Sequence, residues 1–292
     1  MQTKNKIFSF DVVIFCLLFG LLPVDMLNGF LLKEAGIESV VSISQVYKII
    51  LFFFIFIRIS STEKLMFISF FLLMLIPSVF QIFKSGSISL IFNDAIKITK
   101  YLGSFLTFLY FRSIFISKSY LLKWIYRWFS FSFLILFINI FLKLFGLGFP
   151  MYIMNSLEIG SKGYFYAGNE LSGVLLVLCS FLLYWHRLYN NKISFIIIAI
   201  LSLLTGIYVT SKTAILGTMI IIIWFFIFDP RGKKISIKKI FSYLLVFFTI
   251  IPLSLYFIIK YLETSALMQR VSYYWNELDI YTFLLSNRNT FL

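Results

Sequence analysis

The sequence predicts an all-α integral membrane protein of about nine transmembrane helices, with its N-terminus inside. Three observations predict it. The 292-residue chain is 61% hydrophobic and only 13% charged, with mean hydropathy +0.96, whereas a soluble domain carries about one quarter charged residues. Apolar runs of about 20 residues recur along the chain, each long enough to cross a hydrocarbon core. The runs lack the in-out alternation of barrel strands, so the helix is left to satisfy the backbone in lipid.

The runs fall at roughly 7–24, 42–58, 65–83, 96–112, 128–147, 169–185, 193–209, 213–228 and 240–260. The first follows Lys4 and Lys6, as in a signal peptide, but no small-x-small cleavage site comes after it. It reads as an uncleaved first span. The run at 96–112 is the least apolar, with Lys97 and Lys100 in its first turn. Pro77 and Pro252 sit inside runs, where membrane helices tolerate kinks. There is no internal repeat and no low-complexity linker. Residues 1–260 read as one polytopic transmembrane domain. Residues 261–292 read as the start of a large extracytoplasmic loop that stops in mid-domain.

The net charge of +14 is explained by its placement. With the N-terminus inside and alternating spans, the inner segments hold 15 of the 26 Lys and Arg residues against two acids, Glu63 and Asp229. The outer segments are balanced. Such an excess is the positive-inside signature, and the run Arg231-Gly-Lys-Lys-Ile-Ser-Ile-Lys-Lys is an anchor of that kind, not a nucleic-acid patch. Trp124, Trp128, Trp185, Tyr184 and Tyr189 gather at inner span ends, as an aromatic belt does.

Several function classes are excluded or disfavoured. Cys16 and Cys179 lie in apolar runs without metal-ligand spacing. No catalytic triad, Walker loop or zinc spacing is present, so no metal and no cofactor is expected. A proton-coupled transporter buries paired carboxylates or histidines in mid-membrane. Here Asp11, Lys48 and Lys143 lie close to span ends, and the single histidine, His186, falls beside Arg187 on the inner side.

The outer face is where polar groups collect. Between two apolar runs, the turn Thr210-Ser211-Lys212 places two hydroxyls and a cation at the entry to the eighth span. Two readings stand. Ser211 caps the helix and Lys212 snorkels, or the free helix N–H groups, both hydroxyls and the ammonium form an anion site. Arg270 and Arg288 are further outer cations, and a guanidinium fork suits phosphate oxygens. Asn169 opens the sixth span and, with Ser172 and Gly173, makes a small polar face at the outer surface. The segment after 260, with Tyr273, Tyr274, Trp275 and Leu284, reads as an amphipathic helix on that surface.

Three stretches carry a resemblance. They are Gly163-Tyr-Phe-Tyr-Ala-Gly-Asn169-Glu-Leu-Ser, then Thr210-Ser211-Lys212, then Ser286-Asn-Arg288. In this order they resemble the O-antigen polymerase and O-antigen ligase superfamily of bacterial polysaccharide assembly. The stretch from Gly163 is similar to that family's glycine-aromatic-x-x-x-asparagine entry to a span. Thr210-Ser211-Lys212 resembles its Thr-x-Ser-Arg type turn, shortened, with Lys212 for the usual arginine, which keeps the charge and loses bidentate geometry. Ser286-Asn-Arg288 resembles its Ser-Gly-Arg element. The motifs cover only about 25 residues, and the family usually continues past this loop with further spans. Its ligases use a histidine in that loop, and no outer histidine occurs through Leu292.

The resemblance implies a membrane glycosyltransferase of GT-C-like architecture in the bacterial cytoplasmic (inner) membrane. The implied activity is polymerisation of polyprenyl-diphosphate-linked oligosaccharide repeats into O-antigen or capsular polysaccharide. The ligase of the same superfamily, or a lipid-linked oligosaccharide flippase, is the alternative. Implied partners are the lipid-linked oligosaccharide, the bilayer, and a chain-length regulator or flippase. Lys212, Arg288 and Arg270, with Thr210 and Ser211, would hold the diphosphate, and Asn169 would bond a phosphate or sugar. The general base is open among Glu158, Glu170, Glu263, Glu277 and Asp279.

Overall fold

The computed structural model describes residues 4–36, 42–85, 89–117, 121–154, 157–165 and 168–231. The expected ninth span at 240–260, the loop 261–292 and most of the basic run after Arg231 lie outside these residues.

Eight helices occupy the first eight expected positions: α1 Lys4–Glu34, α2 Ile43–Arg58, α3 Ser61–Ser85, α4 Ser89–Ser117, α5 Leu122–Phe141, α6 Gly168–Leu188, α7 Lys192–Val209 and α8 Lys212–Ile227. Among the described residues, five stretches are long and apolar enough to cross a membrane: Phe10–Glu34, Ser61–Gln81, Leu122–Phe145, Glu170–Leu188 and Lys192–Val209. Lys212–Ile227 is a shorter apolar helix. Along α3, large apolar side chains stay exposed nearly all round, with Leu65 at 67% and Phe80 at 70%. Water would penalise such a surface heavily, whereas lipid does not. The protein is membrane-embedded.

The chain forms two compact units. One comprises residues 1–24 and 38–128, the other residues 25–37 and 129–292. In the first, α4 packs against α2 and α3. Ser42 caps α2 by accepting from the Gln45 N–H at 3.2 Å. At the start of α3, Ser60 and Glu63 form a capping box: the Ser60 N–H donates to Glu63 Oε2 at 2.9 Å, and the Glu63 N–H to Ser60 Oγ at 3.3 Å. A buried carboxylate ties this unit together. Asp11, 1% exposed, accepts from Arg58 Nε at 3.2 Å and from the Tyr110 hydroxyl at 3.1 Å. Charges inside a bundle persist only when paired in this way.

In the second unit α6 packs against α7 and α8, which also pack together. The buried face of α6 runs through Leu171, Ser172, Leu175, Leu178, Cys179, Leu182 and His186 at helical spacing. Gly206 of α7 faces the Ala214 carbonyl and Thr218 Oγ1 of α8, each 3.1 Å from where a Cβ would stand. Small residues allow that close approach, the usual device of membrane helix pairs. At the end of this unit opposite the α7–α8 turn, Arg231 donates to both Asp229 oxygens, at 2.8 and 2.6 Å, and this fork holds the Asp229 carboxyl well below the usual carboxylate range.

Two expectations differ from the structure. The first helix does not end near residue 24 but runs to Glu34. Pro23 is tolerated inside a membrane helix, and termination comes at Gly36, whose φ of +62° is left-handed. The segment 148–168, expected as loop, contains a small antiparallel hairpin. Its strands β1 (Tyr152–Met154) and β2 (Leu157–Ile159) pair Tyr152 with Ile159 and Met154 with Leu157. A bridge from Phe149 to Gly163 extends it.

Candidate functional site at the α7–α8 turn

The site is built at one end of the second unit, where α1, α5 and α7 finish and α6 and α8 begin. Helix α5 ends in a 3-10 turn, Leu142–Phe145, closed by Gly146 at φ +76°. The chain then returns across the helix ends as the hairpin. Ser161 fixes this return. Its fully buried hydroxyl donates to the Ile140 carbonyl of α5 at 2.6 Å, and its backbone N–H donates to the Tyr208 carbonyl of α7 at 3.0 Å. Two carbonyls left without helical partners are thereby satisfied. The Tyr164 N–H donates to Asn139 Oδ1 at 3.0 Å.

This return seats directly on the turn singled out by the sequence. Gly160, at φ +65°, lies so close to Thr210 that an added Cβ would land on Thr210 Oγ1 and 2.9 Å from the Val209 carbonyl. Thr210 itself has φ +58°. A β-branched residue is rarely left-handed, so the turn carries backbone strain. Ser211 occupies the N-cap position of α8 with extended backbone, but its side chain makes no capping bond. The capping reading of Ser211 is therefore not realised, although the residue is buried. Lys212 begins α8 and is half-buried.

Three lysines that no sequence motif groups also gather on this end. Lys33, at the end of α1, donates to the Gly148 carbonyl at 2.6 Å and stands 5.6 Å from the centre of the Phe149 ring. Lys162 stands 5.4 Å from the same ring. Lys143 is paired with Glu158, and this bond pushes the Glu158 carboxyl below its ordinary value. Lys33 and Lys162 are 129 positions apart in the chain, too far for any local pattern to join them. The usable signal was weak: several outer cations beside short aromatic stretches.

The other expected residues divide. Asn169 lies in the first turn of α6, with its side chain outside the described part. Ser172 does not contribute to a polar outer surface: it is 2% exposed, and its hydroxyl has no hydrogen-bond partner among the described residues. The cause is its register, one heptad before Cys179 on the face of α6 that packs inward. Arg270, Arg288, Glu263, Glu277 and Asp279 lie outside the described residues. Among the described residues no group of three or more His, Cys, Asp or Glu is placed to hold a metal ion. No protein family, no curated protein and no solved structure matches the chain.

Proposed function

We propose that this protein polymerises polyprenyl-diphosphate-linked oligosaccharide repeats at the outer face of the bacterial cytoplasmic membrane. One observation carries the reading. Two stretches that resemble the same family, around Gly163 and at Thr210-Ser211-Lys212, are far apart in sequence, yet the residues leading into the first sit on the other. The lysines gathered around that junction suit an anionic lipid headgroup.

The chemistry follows from the substrate. The growing chain must leave its lipid diphosphate and join a hydroxyl of the next lipid-linked repeat. Charge builds on the diphosphate as its bond to the sugar breaks. Cations and helix N–H groups held in place at that point stabilise the transition state more than the ground state. Lys212, the first N–H groups of α8 and the hydroxyls of Thr210 and Ser211 fill this role, with Arg288 and Arg270 as further cations. The apolar helices accommodate the polyprenol tail.

The test is chain lengthening by Lys212→Ala and Arg288→Ala variants of the full chain. Each loses about 10²–10³-fold in rate, the usual effect of removing one preorganised electrostatic group, with insertion into the membrane unchanged. Long-chain polymer at wild-type levels in both variants would overturn the assignment.

A further inference from the structure

A transferase of this kind needs a base for the acceptor hydroxyl, and a carboxylate at the α1 end is held in a manner that suits one. Glu34 ends α1 at the same end of the second unit. Its Oε1 accepts from the Tyr164 hydroxyl at 3.2 Å and lies 3.7 Å from Lys33 Nζ. Both partners are themselves fixed. Tyr164 is 3% exposed, bound through its N–H to Asn139, packed edge-on against Phe30 at 5.3 Å, and pressed by its carbonyl against Gly29. Lys33 is anchored on Gly148. Burial and the Glu34 carboxylate push the Tyr164 hydroxyl above its ordinary value, so it remains a donor. Yet the Glu34 side chain is 39% exposed, and Oε2 has no partner among the described residues.

A carboxylate held by one oxygen and open at the other is the geometry a general base needs. The other carboxylates described at this end suit the role less: Glu158 is also held by one oxygen, so basicity and not geometry separates it from Glu34. Glu158 is bound to Lys143 and correspondingly weakened as a base. Glu170 is exposed, and no described residue holds it. Position also fits. Tyr164 follows Gly160 by four residues, so their Cα atoms lie within about 14 Å, the reach of four extended residues. One end of that short segment holds Glu34 and the other sits on the Thr210 turn.

We propose that Glu34 is the general base that takes the proton of the acceptor sugar hydroxyl, an assignment that rests on the polymerase reading above. The hydroxyl oxygen bonds to the anomeric carbon of the growing chain. The bond from that carbon to the diphosphate breaks, and its electron pair leaves with the lipid diphosphate. The hydroxyl proton passes to Glu34 Oε2 and from there to water. Tyr164 and Lys33 are positioning residues that aim the free oxygen.

The experiment uses the full chain in proteoliposomes supplied with polyprenyl-diphosphate-linked repeats. Glu34→Gln is expected to lower kcat about 10²–10⁴-fold, the usual weight of a general base, with KM for the repeat near wild type. Added formate should restore part of the rate to Glu34→Ala, which a purely structural role would not allow. If the wild type lengthens chains and both variants match its rate, the base assignment falls and the polymerase reading stands. If KM rises while kcat holds, Glu34 binds substrate and the assignment also falls. If Glu34→Ala does not assemble, the kcat and KM of Glu34→Gln decide the question. If the wild type transfers no repeats, both readings fall together.

Discussion

Replacing Gly160 by alanine tests whether the returning loop is seated on the α7–α8 turn. Two costs add. An L-residue with a side chain at φ +65° costs about 1–2 kcal/mol. The new Cβ also collides with Thr210 Oγ1 and stands 2.9 Å from the Val209 carbonyl, and overpacking of this kind costs about 1–3 kcal/mol. The expected destabilisation is therefore about 2–5 kcal/mol by these two terms. A double substitution separates them. Thr210→Gly removes both obstructing side-chain atoms but leaves the Val209 carbonyl, so Gly160→Ala made in that background should cost the backbone part of about 1–2 kcal/mol plus what the carbonyl contact adds, less than in wild type. The coupling between the two positions should exceed about 1 kcal/mol, as for residues in direct contact. Reversible unfolding in mixed micelles, followed by circular dichroism, measures all four corners of the cycle. A Gly160→Ala protein within about 0.5 kcal/mol of wild type, the range of an ordinary surface change, would refute the seating and the site built on it.

Two further outcomes follow from the ion pairs. Arg58→Gln removes the Arg58 cation from the buried Asp11 carboxylate while the Tyr110 hydroxyl bond remains, and should cost up to about 3–5 kcal/mol, most of it recovered by adding Asp11→Asn, in the same unfolding assay. Glu158 has its folded-state pKa lowered by Lys143, so its contribution is fully present above the ordinary carboxylate range and is lost as pH falls through the depressed value. Because Glu158 is 52% exposed, solvent screening keeps the effect below about 1 kcal/mol. Unfolding titrated from neutral to acid pH should lose that increment in wild type but not in Glu158→Gln.

The helices were legible because apolar runs of bilayer length leave little freedom. The first eight positions follow from that pattern. Helix α1 runs past the expected end of the first span because Pro23 is tolerated inside a membrane helix and the stop comes only at Gly36. The hairpin was illegible for a different reason. Strands of three residues, Tyr152–Met154 and Leu157–Ile159, are too short to show a period of two. The Thr210 turn stood out because an outer lysine beside two hydroxyls has no topological explanation. Lys33, Lys162 and Glu34 did not stand out, because their shared site depends on the loop crossing back over the helix ends. Ser172 misled, since its position after Asn169 suggested surface while its heptad register with Cys179 placed it inside.

Ser161 has a consequence for length variation. One residue satisfies carbonyls of two different helices, Ile140 through its side chain and Tyr208 through its backbone. The stretch from Gly160 to Tyr164 therefore works as a ruler, with contacts to Thr210, Ile140, Asn139 and Glu34 read off at successive positions. Adding or deleting one residue there shifts every later contact out of step and strands the two carbonyls.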